Sequence, residues 1–346
     1  MKTIKSIYLL FTILFSLLFF SCENTIPFKT NDVPQKLIVN ALINSNKAEN
    51  SIYLHLTGVN NVSFVRDGVI KIYLNGTLKE TIRVEEMKDE WGADVEQYVS
   101  RLLYSPGDAV RMEVETEDGK YQAYAELTVP APVAIEKIDT MTFRTNGQNN
   151  MDHIRLKTTF TDVPESKDFY RILVDRYQTF YGVSRITGND TSFVITSPAS
   201  LIIHEDVVLT EGRPGTINEN DDLFMTQNEN LYTIFDDTRL NGTYSMITTL
   251  SLYSYYYFYD GDIKIERMDM DVNVRLISLT EAEYYYLRAL NIYDSDNYDD
   301  VFSPPILFPT NVNGGTGIVG VSSESAYKVN IRKDMIIDNE YPFAHW

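Results

Sequence analysis

Cysteine is almost absent from this 346-residue chain, which holds a single one, Cys22. One thiol forms no disulfide within the chain and supplies no cysteine pair for a metal site. Histidine is also scarce, and no two histidines have the His-x-x-x-His or His-Glu-x-x-His spacing of a zinc protease. Basic residues are outnumbered, with 30 Lys and Arg against 49 Asp and Glu. Such an acidic chain repels phosphate backbones, so we expect no nucleic-acid partner.

The residues before Cys22 have the layout of a cleavable secretory signal. Lys2 and Lys5 form a short basic start, residues 7–20 are almost wholly apolar, and Ser21 is small. The apolar run is too short to span a bilayer alone. A cysteine directly after such a run is typical of a lipobox, in which the thiol is diacylglycerated and the peptide is cut before the cysteine. The alternative is an ordinary signal peptide followed by an incidental cysteine.

Residues 1–21 are therefore predicted to be a lipoprotein signal peptide, and residues 22–35 a polar tether. Burial of acyl chains, at roughly 0.8 kcal/mol per methylene, makes an anchor of several chains effectively permanent. Removal of Lys2 and Lys5 changes the formal charge from −19 to −21. Because acylation uses the only thiol, we expect no thiol chemistry in the mature protein.

Apolar residues alternate along residues 36–130, a pattern that predicts half-buried strands. Asp67-Gly68, Asn75-Gly76 and Asp118-Gly119 are dipeptides that favour tight hairpin turns. Six or seven short strands at this spacing predict an immunoglobulin- or transthyretin-like sandwich. Pro130-Ala131-Pro132 ends the last of these strands and is predicted to form a stiff linker. The alternating sets are Leu37, Val39, Ala41; Ile52, Leu54, Leu56; Ile70, Ile72, Leu74; Val110, Met112, Val114; and Ala123, Ala125, Leu127.

Residues 131–346 predict a second β-rich domain with longer strands, either a larger antiparallel β-sandwich or an open barrel. One helix is expected near residues 280–291, where Thr280 and Glu283 have the spacing of a capping box. The apolar face of that helix is predicted to hold Ala282, Tyr285, Tyr286, Ala289 and Leu290. The whole chain is therefore predicted to be all-β with one capping helix.

A glycine-rich segment follows this helix. It contains Ser303-Pro304-Pro305 and then Asn311, Gly314, Gly315, Gly317 and Gly320. Together with the lipobox, the short β domain, the proline linker and the tyrosine-rich helix, this segment resembles the Bacteroidota lipoproteins grouped as domain of unknown function family 4249. The resemblance implies a lipid-anchored protein of the outer membrane, associated with a TonB-dependent receptor. We expect the protein to be surface-exposed, and the alternative is the periplasmic face of the membrane. It implies no catalytic residues.

Gly314, Gly315 and Gly317 are predicted to form a structural turn with close backbone approach before the final strand. A phosphate-binding loop requires a helix directly after its glycines. Residues 318–321 are instead strand-like, so the structural role is preferred.

Two clusters are candidate binding sites. Tyr253, Tyr255, Tyr257 and Tyr259 share one face if their segment is a strand, and a ladder of tyrosine rings suits sugars, peptides or a protein partner. The alternative is a ladder packed into the core. Asp294, Asp296 and Asp299 are closely spaced carboxylates that predict a structural calcium site, with a solvated acidic loop as the alternative. No other cofactor is expected.

We interpret the sequence as a non-enzymatic binding or accessory component of a TonB-dependent nutrient uptake system, anchored in the outer membrane. The first alternative is a stand-alone surface glycan-binding lipoprotein. A remote alternative is a hydrolase with an unrecognised site. Its best candidate, His204-Glu205-Asp206, places neighbouring side chains on opposite faces of a strand.

Overall fold

The computed structural model describes residues 34–331, except 59–60, 90, 117, 145–151, 164–165, 185, 198–202, 213–229, 253–262, 296–297 and 299–302. These residues form β-strands in several sheets, with one α-helix among them, which confirms the predicted all-β class. Within the described ranges, no helix is long and apolar enough to cross a membrane.

The first nine strands are β1 (Leu37–Asn44), β2 (Asn50–Thr57), β3 (Val62–Phe64), β4 (Gly68–Leu74), β5 (Thr77–Ile82), β6 (Glu85–Lys88), β7 (Asp94–Ser100), β8 (Ala109–Thr116) and β9 (Gln122–Thr128). The next seven are β10 (Ile135–Arg144), β11 (Asp152–Thr161), β12 (Phe169–Ser184), β13 (Asp190–Ser197), β14 (Ile203–His204), β15 (Ile234–Asp236) and β16 (Thr243–Leu252). The chain continues with β17 (Ile263–Leu279), helix α1 (Glu281–Tyr293) and β18 (Thr316–Ile331).

The first sandwich packs two sheets against each other. One has the order β18-β1-β2-β7-β6 and the other the order β5-β4-β8-β9. The alternating residues of β1, β4 and β8 that the sequence predicts to be internal are buried in one apolar core. Asn75 and Gly76 both have positive φ and form the predicted hairpin turn between β4 and β5. Gly68 does not form a hairpin turn and instead begins β4.

The second sandwich has the same design. Its sheets have the orders β13-β12-β17-β18 and β10-β11-β16-β14, and they enclose a separate apolar core. The antiparallel sandwich was one of two architectures expected for this region, the other being an open barrel, and the two described sheets with a core between them fit the sandwich.

One strand, β18, belongs to both sandwiches. Its first half pairs with β1 in parallel, from Ile38 opposite Thr316 to Asn44 opposite Ser322. Its second half pairs with β17 in antiparallel orientation, from Ser323 to Ile331. The two larger sheets are therefore one continuous ten-stranded sheet, with a smaller sheet packed on each half.

The proline linker crosses β18 at the point where this strand passes between the sandwiches. Ser323 Oγ donates a hydrogen bond to the carbonyl of Pro130 at 2.7 Å, and Ser325 Oγ donates one to the carbonyl of Val133 at 2.5 Å. Hydroxyls at these positions satisfy linker carbonyls that a valine would leave unpaired.

Helix α1 lies on the face of the ten-stranded sheet opposite the two cores. Tyr284 and Leu287 pack with Phe169 of β12 and Ile277 of β17. The predicted apolar face is confirmed for Ala289, which is buried, and for Leu290, which packs against the sheet. It was wrong for Tyr285, which is exposed, and it missed the buried residues Glu283, Tyr284 and Leu287. The predicted capping box was also wrong: the Thr280 side chain makes no cap hydrogen bond, and Glu283 turns into the sheet.

The glycine segment before β18 packs against the start of β1. Gly314 and Gly317 have φ of +80° and +103°. A Cβ on Gly315 would lie 2.5 Å from the carbonyl oxygen of Leu37, and one on Gly317 would lie 2.3 Å from that of Val39. These positions therefore require glycine for the parallel pairing of β1 with β18.

Candidate functional site

A polar cleft of about 190 Å³ lies beside α1 in the second sandwich. Its volume is below the roughly 300–1,000 Å³ of pockets for drug-sized ligands, so it suits a small molecule. The lining residues come from three segments of the chain: Val208, Leu209, Glu211; Asn230, Ile234, Phe235, Asp236, Arg239; and Tyr284, Arg288, Asn291.

The charged groups of the cleft contact one another across its rim. Arg288 Nη2 lies 3.1 Å from Glu211 Oε1, and Arg239 Nη2 donates to the carbonyl of Glu211 at 3.1 Å. Such half-exposed ion pairs contribute little to stability. The same guanidinium and carboxylate groups are therefore available for exchange with a polar ligand.

Two residues at the cleft have backbone conformations that L-residues rarely adopt. Glu211 has φ +54°, and Thr233, next to the lining residue Ile234, has φ +51°. This conformation is unfavourable for a β-branched residue, by roughly 1–3 kcal/mol, and such strain is concentrated at functional sites. The buried Asn230 fixes the segment, because its amide donates to the carbonyls of Leu209 at 3.0 Å and Ile234 at 2.7 Å.

Tyr284 forms the wall of the cleft on the helix side. Its ring stacks on Phe169 with centroids 4.6 Å apart, and its hydroxyl donates to Asp236 Oδ2 at 3.3 Å. Burial, aided by the Asp236 charge, raises the pKa of Tyr284 to about 12. The hydroxyl therefore keeps its proton near neutral pH and acts as a hydrogen-bond donor.

Glu283 is a carboxylate buried beneath α1. It packs so closely on β18 that a Cβ on Gly320 would lie 2.6 Å from Glu283 Oε2. This oxygen has no hydrogen-bond partner among the described residues. Burial raises the pKa of Glu283 to about 8, although the nearby Arg171 charge lowers it. The carboxyl group of Glu283 is therefore mostly protonated at neutral pH, and it lies in the contact between α1 and the sheet.

An exposed aromatic surface continues from the C-terminal end of α1. The Phe308 ring lies 5.8 Å from Tyr286 and 5.9 Å from Tyr293, while Tyr293 lies 5.4 Å from Tyr298. The neighbouring Leu307 is 90% exposed. Exposed rings of this kind are typical of surfaces that bind sugars or proteins.

Several predicted site residues lie outside the described residues. They are Cys22, Tyr253, Tyr255, Tyr257, Tyr259, Asp296 and Asp299. Asp294 is described, and its Oδ2 accepts a hydrogen bond from the Tyr232 hydroxyl at 2.6 Å. No cluster of three metal-ligating side chains occurs in the part of the chain that the structure describes. The calcium site remains a prediction.

The acidic residues considered for hydrolysis have structural partners. Glu205 forms two hydrogen bonds with the Arg155 guanidinium, at 2.9 and 2.7 Å. Asp206 accepts from the Tyr244 hydroxyl at 2.7 Å and from the Ile247 amide at 2.9 Å. Both carboxylates therefore hold the turn that leads to the cleft.

The cleft could not be found from a sequence motif. Its charged residues, Glu211, Asp236, Arg239 and Arg288, come from separate segments with no regular spacing. The only local signal is Asp236, whose carboxylate accepts from the Thr238 amide at 3.1 Å, as in a short helical turn.

Comparisons with known proteins identify the family of this chain. No curated protein matches the chain. A solved structure described as the B domain of a biofilm-associated protein is 8% identical, with 84% of this chain and 85% of that chain covered and a TM-score of 0.19. That score is too low to support an argument about fold or function. The family model described as "Domain of unknown function (DUF4249)" matches residues 23–328, so the chain belongs to this family.

Proposed function

We propose that the protein is an outer-membrane lipoprotein, anchored at Cys22, that acts as a non-enzymatic binding or accessory component of a TonB-dependent nutrient uptake system. The observation that carries the proposal is the signal layout that ends at Cys22, followed by a match to a single family over residues 23–328. In this role the second sandwich captures or hands over a small polar ligand.

The position of the cleft supports this role. The chain enters the fold at β1, which lies in the first sandwich. The strand β18 begins beside β1 and runs for 16 residues into the second sandwich, about 50 Å at roughly 3.3 Å per residue. A protein anchored before β1 would therefore hold the cleft and the aromatic surface away from its attachment point.

The chemistry of the described residues also favours binding over catalysis. The carboxylates of Glu205 and Asp206, the acidic residues considered for hydrolysis, are used in structural hydrogen bonds. Good acid–base catalysis needs facing groups with free access to a substrate proton. We therefore propose that the cleft binds its ligand unchanged.

The test is affinity purification of the tagged full-length chain from detergent-solubilised outer membranes. We expect a TonB-dependent receptor to copurify, and deletion of the gene to slow growth on the nutrient that the receptor imports. A matched variant is Arg288→Ala, which removes a rim charge of the cleft and should reduce growth while leaving copurification intact. Absence of any receptor, together with unchanged growth on every nutrient, would contradict the proposal.

A second candidate function is glycan binding without a dedicated transporter. It is favoured by the rings of Tyr293, Tyr298 and Phe308, which lie close together at the C-terminal end of α1 and are at least partly exposed. Retention in glycan affinity gels tests it. Joint replacement of Tyr253, Tyr255 and Tyr257 by alanine should abolish retention if the predicted ladder binds the glycan, whereas Tyr293→Ala with Phe308→Ala should do so if the described surface binds it. If the glycan gel still retains both sets of variants, this second function is wrong.

A further inference from the structure

The cleft beside α1 brings both signs of charge to one place. Glu211 and Asp236 supply two carboxylates, and Arg239 and Arg288 supply two guanidinium groups. The described lining is therefore neutral, although the chain has a formal net charge of −19. Burial and the charges of Asp236 and Glu211 raise the pKa of Tyr284 to about 12, against an opposing effect of Arg288. The Tyr284 hydroxyl thus lies within electrostatic reach of charges of both signs.

The two guanidinium groups meet at one turn of the chain. Arg239 Nη2 donates to the carbonyl of Glu211 at 3.1 Å, and a Cβ on Gly212 would lie 3.3 Å from the same Nη2. Arg288 Nη2 lies 3.1 Å from the carboxylate of the same Glu211. The turn therefore holds the two arginines side by side, with the Glu211 carboxylate as the anion on Arg288.

A carboxylate from a ligand can take the place of the Glu211 carboxylate. The Glu211 and Arg288 side chains are 52% and 45% exposed, and ion pairs with this exposure contribute little to stability. A guanidinium group binds a carboxylate through charge-assisted hydrogen bonds, which are stronger than neutral ones. The exchange leaves the Glu211 side chain in water and gives the arginines an anion held in the cleft.

Asp236 provides the matching partner for a positive group. Its Oδ1 accepts from the Thr238 amide at 3.1 Å, and its Oδ2 accepts a long hydrogen bond of 3.3 Å from Tyr284. A carboxylate oxygen has two lone pairs, so Oδ2 keeps acceptor capacity for an ammonium group. Arg288 follows Tyr284 by about one turn of α1, which places it close to Asp236. Opposite charges are therefore separated by the length of a small molecule.

Other small ligands match this lining less well. A lone anion is repelled by the two carboxylates, and a lone cation is repelled by the two guanidinium groups. Sugars are typically bound against an open aromatic ring. The aromatic lining residues Phe235 and Tyr284 are only 2% and 4% exposed, because their rings pack against other rings of the fold. The described lining therefore favours a ligand that carries both charges.

We infer that the cleft binds a free amino acid as its zwitterion, with the carboxylate on Arg239 and Arg288 and the ammonium group on Asp236. The cleft volume of about 190 Å³ suits a ligand smaller than the drug-sized molecules of larger pockets. The inference rests on the proposed function, because it names the class of nutrient that the proposed component captures.

Saturation-transfer NMR on the full-length protein in detergent micelles tests the inference. The probes are L-alanine, propionate and ethylamine, of which propionate lacks the ammonium group of alanine and ethylamine lacks its carboxylate. A mixture of the standard L-amino acids is tested beside them, because all of them share the recognised groups. We expect transfer to L-alanine, or stronger transfer to another amino acid, and little transfer to the other two probes. Propionate or ethylamine signals equal to those of the amino acids would overturn the inference.

Two substitutions in the cleft test the placement of the carboxylate. Glu211→Gln removes the group that competes for Arg288 and should tighten binding by roughly two- to fivefold, the range expected for an exposed ion pair. Arg288→Gln should weaken binding by roughly tenfold, through loss of a charge-assisted hydrogen bond. The control Glu281→Gln makes the same change of charge outside the cleft, where Glu281 pairs with Lys167, and should leave the affinity unchanged. Weaker binding by Glu211→Gln, or equal tightening by the control, would contradict the exchange.

The remaining outcomes separate the ligand class from the proposed function. Transfer to glucose, but not to amino acids, overturns the class and leaves the cleft as a binding site for small ligands. If no probe receives saturation while a TonB-dependent receptor still copurifies with the chain, the inference is wrong and the accessory role stands. Transfer at full strength in Arg288→Gln shows that the amino acid binds elsewhere, and this result also overturns the inference.

Discussion

Glu283 shows how a single side chain couples the helix to the sheet. The carboxylate is buried between α1 and β18, and Oε2 lacks a hydrogen-bond partner in the described residues. Ionisation would leave a buried charge with one unpaired oxygen, a cost that the nearby Arg171 charge only partly offsets. The group therefore stays protonated in the folded protein at pH values where it is ionised in the unfolded chain.

This difference predicts a pH dependence of stability. The pKa of Glu283 is about 8 in the fold, against 4.5 for an unperturbed glutamate. Between these values the folded state holds a proton that the unfolded chain has lost, so the free energy of unfolding falls as pH rises. We expect Glu283→Gln to remove this loss, which amounts to roughly 3–5 kcal/mol over that interval.

Thermal unfolding at about pH 5 and about pH 8 measures the effect. The control is Glu281→Gln, which changes an exposed carboxylate on the same helix that pairs with Lys167. The control should lose as much stability with rising pH as the wild type. Equal losses in the wild type and in Glu283→Gln would contradict the assignment of the buried proton.

Gly317 provides a second test at the residue scale. It has φ of +103°, and a Cβ added to it would lie only 2.3 Å from the Val39 carbonyl oxygen. Gly317→Ala should therefore destabilise the protein by several kcal/mol, through strain and a backbone clash. Gly107 has φ of +87° and open space around it, so Gly107→Ala should lower the free energy of unfolding by only about 1 kcal/mol. Chemical denaturation compares the two, and equal effects would argue against the close approach.

At the scale of elements, strands could be predicted better than the helix face. Alternation placed Leu37, Val39 and Ala41 on one face, and all three are buried, because period-2 patterning follows directly from strand geometry. The helix was located correctly, but only part of its buried face, Ala289 and Leu290, was predicted. Residues 283–286 are one glutamate and three tyrosines, so their pattern does not show which side of the helix faces the sheet. In the structure, Tyr284 stacks on Phe169, and this contact sets the rotation of the helix about its axis.

The docking of α1 can be tested with two substitutions on opposite sides of the helix. Leu287 is 2% exposed and packs against the sheet, while Ile292 is 53% exposed. Leu287→Ala should lower the free energy of unfolding by about 2–5 kcal/mol, because it leaves a cavity in the joint. Ile292→Ala should change it by roughly 0.5 kcal/mol or less. Chemical denaturation measures both, and the reverse order would show that the helix packs on its other face.

At the scale of the whole molecule, the shared strand β18 determines the architecture. The sequence predicts that residues 318–321 are strand-like, but it does not predict that β18 runs unbroken from Thr316 to Ile331 and first pairs with β1. Because β1 and β18 are far apart in sequence, no local sequence pattern indicates that they pair in parallel. For the same reason the cleft, which is built from three separate segments, could not be predicted from spacing.

The shared strand predicts that the first sandwich does not fold alone. Residues 34–130 lack Val319 and Val321, which are buried in their core, and expose the pairing edge of β1. We expect this fragment to give the poorly dispersed NMR spectrum of an unfolded chain. The matched control appends residues 310–322 through a flexible linker and should recover dispersion. A well-folded 34–130 fragment would contradict the role of β18.

We propose that the chain is held at the outer membrane through Cys22. Metabolic labelling with a palmitate analogue, followed by separation of the cell membranes, tests it most directly. The wild-type chain is predicted to carry the label and to sediment with the outer membrane, whereas Cys22→Ser should carry none. An unlabelled wild-type chain, or a Cys22→Ser variant that keeps both the label and the location, would contradict the account.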